Sequence, residues 1–370
     1  MKETARRKLL GNVRRAVVKV GTSVLTDFPV ARVRSLAADV AVLREGGADI
    51  VLVTSGSVNL GMARLDLKRR PRQLPLQQAA SAVGQVALIQ AYEDALRAHR
   101  IPTAQVLISH DDLSDPARFL RARHTLMALL DYGVVPLINE NDSVAVEEIL
   151  DSDNDLLAAR LIRLVEADLL AMLTSAEGIY AASPRRGGQV ISVVREIDDL
   201  ACRVTDGMSK GKVQRSLASK VRAAQLAAKE GVPTLVASGI RAGVLSNILD
   251  DETIGTLLLP ARVRRSRKRW IAEDVEPRGI VHVTEEAHAY LVEGHHSLQC
   301  AGVKSTGGQY RLGDVVGVVD PSGNEFARGL VGFHHEELDR IRGLDGTEIE
   351  KALGSKSSDE VIRRDDLIIL

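Results

Sequence analysis

The sequence predicts an α/β fold: a three-layer αβα sandwich on a mainly parallel sheet, with a small C-terminal β-barrel after it. Three observations carry that reading. Apolar runs of strand length recur through the first two thirds of the chain and alternate with stretches of helical spacing. Those runs lack polar alternation, so both faces of each strand need cover, as in a parallel sheet between helix layers. Beyond about residue 260 the pattern changes to short strands separated by Gly-centred turns.

In chain order, residues 1–15 are basic and polar and read as a loose arm or a first helix. Ala16–Val20 is the first buried strand, ended by Gly21-Thr22-Ser23. Residues 31–45 carry Val33, Leu36, Ala37, Val40 and Leu43 at helical spacing. Asp49–Thr54 is a second strand, followed by Ser55-Gly56-Ser57; Gly61 then points to a longer exposed loop. Residues 76–99 read as a long helix, Thr103–Ile108 as a strand and 116–131 as another helix. The apolar run Val134–Ile138 ends abruptly in Asn139-Glu140-Asn141-Asp142, and Asp153-Asn154-Asp155 opens an apolar helix. Asp168–Thr174 is a strand, 219–230 a helix, Thr234–Ala237 a strand and Ala242–Ile248 a short helix. Further on, Gly279–Val283 and Val315–Val319 are short strands, with turns at Gly307–Asp314 and Pro321–Asn324. The tail, 345–370, is polar until Leu367–Leu370, which adds an edge strand.

Composition bounds the function. A chain of 370 residues buries a sizeable core and has room for two domains. Lys+Arg and Asp+Glu number 49 each, so global charge favours neither a nucleic-acid coat nor a membrane surface. Locally, Arg262–Arg269 is strongly basic, and the run Arg264–Arg269 reads as a linker. Aromatics make up 3%, so the core must be aliphatic. Cys202 and Cys300 lie far apart without CxxC spacing, which fits a reducing compartment and no structural zinc. No apolar run reaches spanning length, and the first residues lack a signal-peptide core, so a cytoplasmic protein without membrane contact is expected.

Ligands of open parallel sheets bind beyond the carboxyl ends of the strands. Gly21-Thr22-Ser23, Ser55-Gly56-Ser57, Asn139–Asp142 and Thr174-Ser175 all lie at such ends, so they read as one site. Lys19 sits between Val18 and Val20, and an unpaired buried ammonium is costly. It is either a phosphate-binding lysine, with Gly21 letting backbone N–H groups approach the same phosphate, or a lysine reaching out from an edge strand. Ser55-Gly56 reads as a ligand turn or as an ordinary strand-to-helix turn. Asp153 and Asp155 suit helix capping alone, whereas Asn154 lies in a first turn whose free N–H groups attract anions. Thr174–Tyr180 reads as a turn into a hairpin, and Lys220, taken alone, as a solvated lysine opening the 219–230 helix. The nine histidines and two cysteines show no metal-ligand spacing, so no protein metal site is expected.

The same residues carry a family resemblance. Val17–Thr26, Val53–Ser57, Ala79–Gln85, Ile138–Asp142 and Asp153–Asp155 resemble the glutamate 5-kinases of the amino acid kinase superfamily. From Arg267–Trp270 through Gly302-Val303-Lys304, Gly313-Asp314 and Ala327-Arg328-Gly329 the chain resembles a PUA domain. The resemblance implies an amino acid kinase domain over 1–262, a basic linker over 263–276, a PUA-like domain over 277–355 and a tail over 356–370. It implies ATP-dependent phosphorylation of the γ-carboxylate of L-glutamate to L-glutamyl 5-phosphate, the first step of proline synthesis, with Mg²⁺ accompanying ATP. Lys19 and Lys220 would be catalytic, Lys19 on the transferring phosphate and Lys220 on the β- and γ-phosphates. Ser55, Asp142 and Asn154 would bind glutamate. Lys19, Gly21, Thr174, Ser175, Gln214, Arg215, Ser216, Leu217, Ala218, Ser219 and Lys220 would line the ATP site. The acceptor carboxylate is already ionised at pH 7, so no general base is needed. Asp142 suits the amino group of glutamate, and Asn154 with backbone N–H groups suits its carboxylates.

Two stretches depart from the family pattern. Thr174-Ser175 stands where Thr-Asp is usual, and Gln214–Lys220 lacks the glycines of the Gly-Gly-Met-x-Thr-Lys loop. An upstream look-alike, Gly207-Met208-Ser209-Lys210-Gly211-Lys212, offers Lys210 or Lys212 in place of Lys220. The resemblance further implies a homo-oligomer, a dimer or a tetramer, and feedback inhibition by proline. Two other readings compete: an amino acid kinase with a different acceptor, and an RNA-binding or regulatory protein with a degenerate kinase domain. The PUA-like part and the Arg262–Arg269 run favour the latter, with RNA as partner; neutral charge and scarce aromatics oppose it.

Overall fold

Strands without polar alternation need neighbours on both sides and helices on both faces, and the computed structural model supplies both. It describes residues 10–25, 30–144, 154–181, 188–206, 212–249, 254–261, 268–273, 275–294, 296–354 and 358–370. The chain divides into two units, Met1–His110 with Thr125–Arg264, and Asp111–His124 with Arg265–Leu370.

The sheet of the first unit contains β1 (Arg15–Val20), β2 (Asp49–Val53), β3 (Thr103–Ile108), β4 (Val135–Glu140), β5 (Leu169–Thr174), β6 (Val193–Val194), β7 (Thr234–Ser238) and β8 (Thr256–Leu258). Their order is β3-β4-β2-β1-β5-β7-β8-β6. All neighbours are parallel except β7 and β8. After β4 the chain crosses β1 to lay down β5 on its other side. That reversal is the topological switch point at which such sheets bind ligands. β1 and β4 are buried along their whole length, so the side chains at their carboxyl ends are set by a dry, aliphatic base. Within this sheet Lys19 lies in register with Val53 and Met172.

The helices in chain order are α1 (Val30–Glu45), α2 (Ser57–Arg64), α3 (Leu74–Arg97), α4 (His110–Ser114), α5 (Pro116–Asp131), α6 (Asn154–Val165), α7 (Ile197–Asp206), α8 (Lys212–Lys229) and α9 (Val244–Leu249). Four differ from expectation: α4 and α7 fall where no helix was read, and α2 and α8 depart as follows. Where Gly61 pointed to an exposed loop, residues 57–64 form α2. Gly61 is buried there because a Cβ would fall on the Ala80 carbonyl oxygen of α3. Likewise α8 starts at Lys212, upstream of the expected 219, because Val213, Leu217 and Val221 continue the helical period.

The second unit contains α10 (Arg269–Glu273), β9 (Gly279–Val283), α11 (Glu285–Val292), β10 (Leu298–Gln299), β11 (Val303–Gly308), β12 (Val315–Val319), β13 (Glu325–Leu330), α12 (His335–Ile341), α13 (Gly346–Leu353), β14 (Glu360–Ile362) and β15 (Leu367–Ile369). A five-stranded sheet runs β11-β9-β12-β13-β15, and β10 pairs with β14. β15 is the edge strand the sequence promised, antiparallel to β13. The basic run is only partly a connector: Arg269–Glu273 is helical, and Trp270 packs with Leu120, Ile271, Val315 and Leu330. Residues 262–267 lie outside the described residues. The polar tail also holds more structure than expected, in α13 and β14.

One ion pair of this unit is fully buried. Arg123, 0% exposed, donates from Nε to Asp366 Oδ1 at 2.7 Å and from Nη2 to the Asp365 carbonyl at 2.7 Å. His124 Nε2 meets the other oxygen, Asp366 Oδ2, at 2.5 Å. Burial raises the Asp366 pKa, but the His124 hydrogen bond and the Arg123 charge outweigh it, so the carboxyl titrates below its usual range.

Candidate active site

The parallel sheet brings the four predicted strand ends together, since β4, β2, β1 and β5 are consecutive neighbours. Lys19 is the penultimate residue of β1. A lysine there was expected to meet an anion, and it does: its Nζ lies 2.6 Å from Asp155 Oδ1. Asp155 is the second residue of α6, in a first turn that favours negative charge. Its other oxygen, Oδ2, accepts from Lys220 Nζ at 2.9 Å and from Ser219 Oγ at 3.1 Å. Lys220 Nζ also donates to Ser216 Oγ at 3.1 Å.

One carboxylate therefore holds two ammonium groups from opposite sides of the switch point. All three groups are buried, with Asp155 at 3% and both lysines at 7% exposure. Burial raises the Asp155 pKa, but the Lys19 and Lys220 charges and hydrogen bonds more than reverse it, lowering it from 3.8 to about 2. At neutral pH the cluster carries two positive charges and one negative. That surplus suits a polyanion. The expectation that Asp155 only caps its helix is overturned, because both its oxygens are engaged by lysines.

Lys220 is thereby brought to Lys19, while the look-alike residues 207–211 lie outside the described residues. The stretch Gln214–Ser219 is not a loop but the first turns of α8. Arg215 and Ser216 are exposed there, and Leu217, Ala218 and Ser219 are half-buried. At the end of β5, Thr174 is half-buried and Ser175 exposed. The Thr174 carbonyl accepts from Gly239 N–H at 2.8 Å, and an antiparallel bridge between Tyr180 and Val190 gives the expected hairpin.

The N–H of Gly21 itself is engaged within the sheet end: it donates to the Leu173 carbonyl at 2.9 Å. A Cβ at Gly21 would stand 2.9 Å from the same oxygen, which is why the position takes glycine.

Beside the lysine cluster lies a second, uncharged group. Asn154 Nδ2 donates to the Thr54 carbonyl at 2.6 Å, to Asn139 Oδ1 at 2.8 Å and to Ser55 Oγ at 3.1 Å. Asn139 Oδ1 also accepts from Glu140 N–H at 3.0 Å. Within this group two buried amide atoms have no partner among the described residues, Asn139 Nδ2 and Asn154 Oδ1. A buried donor and a buried acceptor left open are costly unless a ligand completes them. Asn154 therefore differs from expectation. Its amide hydrogens are spent on protein acceptors, and its open atom is an acceptor rather than a donor for a carboxylate. Next along the sheet, Asp142 is buried and accepts from Ser57 and Ser81 hydroxyls.

Sequence reading missed Asn139, Asp155 and Ser81 as individual site residues. The signal for Asp155 was present: a lysine in an apolar strand demands a carboxylate, and Asp155 opens the neighbouring apolar helix.

The amino acid kinase family pattern matches residues 14–238. The chain belongs to the amino acid kinase family. A PUA domain pattern matches residues 279–353. Among curated relatives, the glutamate 5-kinase of Caldanaerobacter subterraneus subsp. tengcongensis is 42% identical over 363 residues, covering 96% of this chain and 98% of its own. That of Moorella thermoacetica is 40% identical over 381 residues and is covered end to end on both sides. Among solved structures, carbamate kinase from Giardia lamblia bound to AMP-PNP aligns with a TM-score of 0.50 at 15% identity, covering 67% of this chain and 99% of that one. This last likeness concerns the amino acid kinase fold alone.

Proposed function

We propose that this amino acid kinase transfers the γ-phosphoryl group of ATP to the γ-carboxylate of L-glutamate, giving L-glutamyl 5-phosphate for proline synthesis. The carrying observation is the meeting of Lys19 and Lys220 on one buried carboxylate at the switch point, in a chain alignable over its length with glutamate 5-kinases.

The chemistry follows from charge. Phosphoryl transfer between a triphosphate and a carboxylate must bring two anions together, and catalysis is mainly positioning and neutralisation. Lys19 and Lys220 take the phosphoryl oxygens, and Asp155 fixes the spacing of their ammonium groups. Thr174, Ser175 and the first turns of α8 line the nucleotide side. On the acceptor side, Asp142 and the open Asn154 Oδ1 take the glutamate amino group. Asn139 Nδ2 donates to a glutamate carboxylate, and Ser55 stands beside them. No base is required, because the acceptor is ionised at working pH.

Among the described residues no cluster of three or more His, Cys, Asp or Glu could hold a metal. A cationic cluster with a single shared carboxylate fits Mg²⁺ carried on phosphate oxygens and water rather than caged by side chains. When bound, it would supply further neutralisation of the phosphates. No helix among the described residues is long and apolar enough to cross a membrane, and the reading keeps the cytoplasm as compartment and proline as the effector to test.

The test is a coupled ADP-release assay with glutamate, aspartate, acetylglutamate and carbamate as acceptors. Turnover with glutamate, lost in Lys19→Ala and Lys220→Ala, is expected. Turnover with another acceptor and none with glutamate sinks the reading. Silence with all four, with salt-sensitive RNA binding, would favour the degenerate-kinase alternative.

A further inference from the structure

The stretch Ala79–Gln85 belongs to the family resemblance, yet nothing in the reaction has so far used it. It lies in α3 and faces inward: Ala80, Ser81, Gly84 and Gln85 are buried. Opposite it runs α2, which begins at Ser57, directly after the Ser55-Gly56 turn. The two helices touch backbone to backbone. A Cβ on Gly84 would fall on the Ser57 carbonyl oxygen, and a Cβ on Gly61 on the Ala80 carbonyl oxygen. Each glycine thus makes room for the other helix's main chain, so the contact is reciprocal.

That closeness has a chemical result. It sets Ser81 Oγ 2.9 Å from Ser57 Oγ, with both hydroxyls directed at Asp142 Oδ2. The Ser81 contact with the carboxylate is the shorter, and Ser57 stands at 3.3 Å. Two hydroxyls have only two protons for these three contacts. The short contact takes the Ser81 proton. Ser57 then donates either to Ser81 Oγ, which polarises that hydroxyl and strengthens the first bond, or to the same carboxylate oxygen as a second, longer contact. Ser81 is 1% exposed, so water cannot replace it.

We infer that Ser81, backed by Ser57, is a positioning residue for Asp142, and that the Gly61–Gly84 helix contact sets the geometry with which the acceptor amino group is recognised. Ser81 touches neither substrate. It acts by fixing one oxygen of the carboxylate, which orients the whole group. The inference rests on the reading of Asp142 as the ligand of the glutamate amino group. Such a contact is made equally in ground and transition states, so its loss raises KM and spares kcat.

The experiment compares steady-state kinetics of Ser81→Ala, Ser57→Ala, Asp142→Ala and the double variant Ser81→Ala/Asp142→Ala, with glutamate and ATP varied separately. Ser81→Ala is expected to raise the glutamate KM by about tenfold or more, the worth of a hydrogen bond to a charged group. Its kcat and ATP KM should stay within about twofold. Ser57→Ala, on the longer contact, should raise the glutamate KM less. In the Asp142→Ala background, removing Ser81 should add nothing. A raised KM in Asp142→Ala beside an unchanged KM in Ser81→Ala overturns the inference alone. An equal Ser81 effect with and without Asp142 overturns it too, as does a parallel loss of kcat and ATP affinity. An unchanged KM in Asp142→Ala overturns the reading of Asp142 and this inference with it.

Discussion

Replacing Asp155 by Asn keeps the shape of the side chain and removes the one negative charge that holds Lys19 and Lys220. The drop in the Asp155 pKa from 3.8 to about 2 corresponds to a net preference of the folded site for the ionised form of about 2–3 kcal/mol, burial included. Deletion costs more than that, because two buried ammonium groups are left facing each other, and breaking a buried pair typically costs about 3–5 kcal/mol. Asp155→Asn is therefore expected to lower the unfolding free energy by about 3–5 kcal/mol at pH 7, read by urea denaturation. The sign with pH is fixed. A depressed carboxylate pKa gives stability that is complete above about pH 5 and is lost as pH falls through 3.8 towards 2. By pH 3 the unchanged protein should have lost about 1 kcal/mol from this group alone. The gap between it and the variant should narrow by that amount. Kinetically, lysines displaced by an ångström should cost about a hundredfold in kcat. Equal urea midpoints at pH 7 together with a kcat within threefold would refute the claim that Asp155 organises the lysines.

Two further outcomes follow from the geometry. Gly84→Ala must separate α2 from α3, since its Cβ meets a backbone carbonyl that cannot rotate away; a loss of at least about 1–3 kcal/mol and a raised glutamate KM are expected, measured by thermal melting and kinetics. Asp366→Asn leaves Arg123 buried without its carboxylate and should cost about 3–5 kcal/mol. The same variant should flatten the loss of stability below about pH 4 that the depressed Asp366 pKa gives the parent.

Most of the first sheet was legible in the sequence, because a strand buried on both faces leaves an unmistakable apolar run. The convergence of Lys19, Ser55, Asp142, Asn154 and Thr174 was legible for the same reason: parallel neighbours must end on one side. What escaped was set by contacts across sequence. Gly61 signals a turn until its partner Gly84 is known, since each is explained only by the other's helix. Asp155 resembled a helix cap because capping is local, whereas its lysines stand 136 and 65 positions away (155 minus 19, 220 minus 155). Gly21 was read, from its place after a strand, as letting backbone N–H groups approach a phosphate. The carbonyl of Leu173 has a prior claim on its N–H, and only strand order reveals that. The open amide atoms of Asn139 and Asn154 could not be foreseen, because which end of an amide is spent depends on three-dimensional neighbours.

The Arg123–Asp366 pair has a consequence in time. Its members are separated by 243 residues, so a ribosome makes the arginine long before the aspartate. At about 5–20 residues per second the interval is roughly 12–50 seconds. Throughout it, Arg123 has no carboxylate to accompany it into an apolar interior and must stay in water. The unit that will bury it therefore cannot close around that side chain cotranslationally. Nascent chains arrested between these two positions should expose residues 111–124 to protease or chaperone, and the onset of protection there marks the arrival of Asp366.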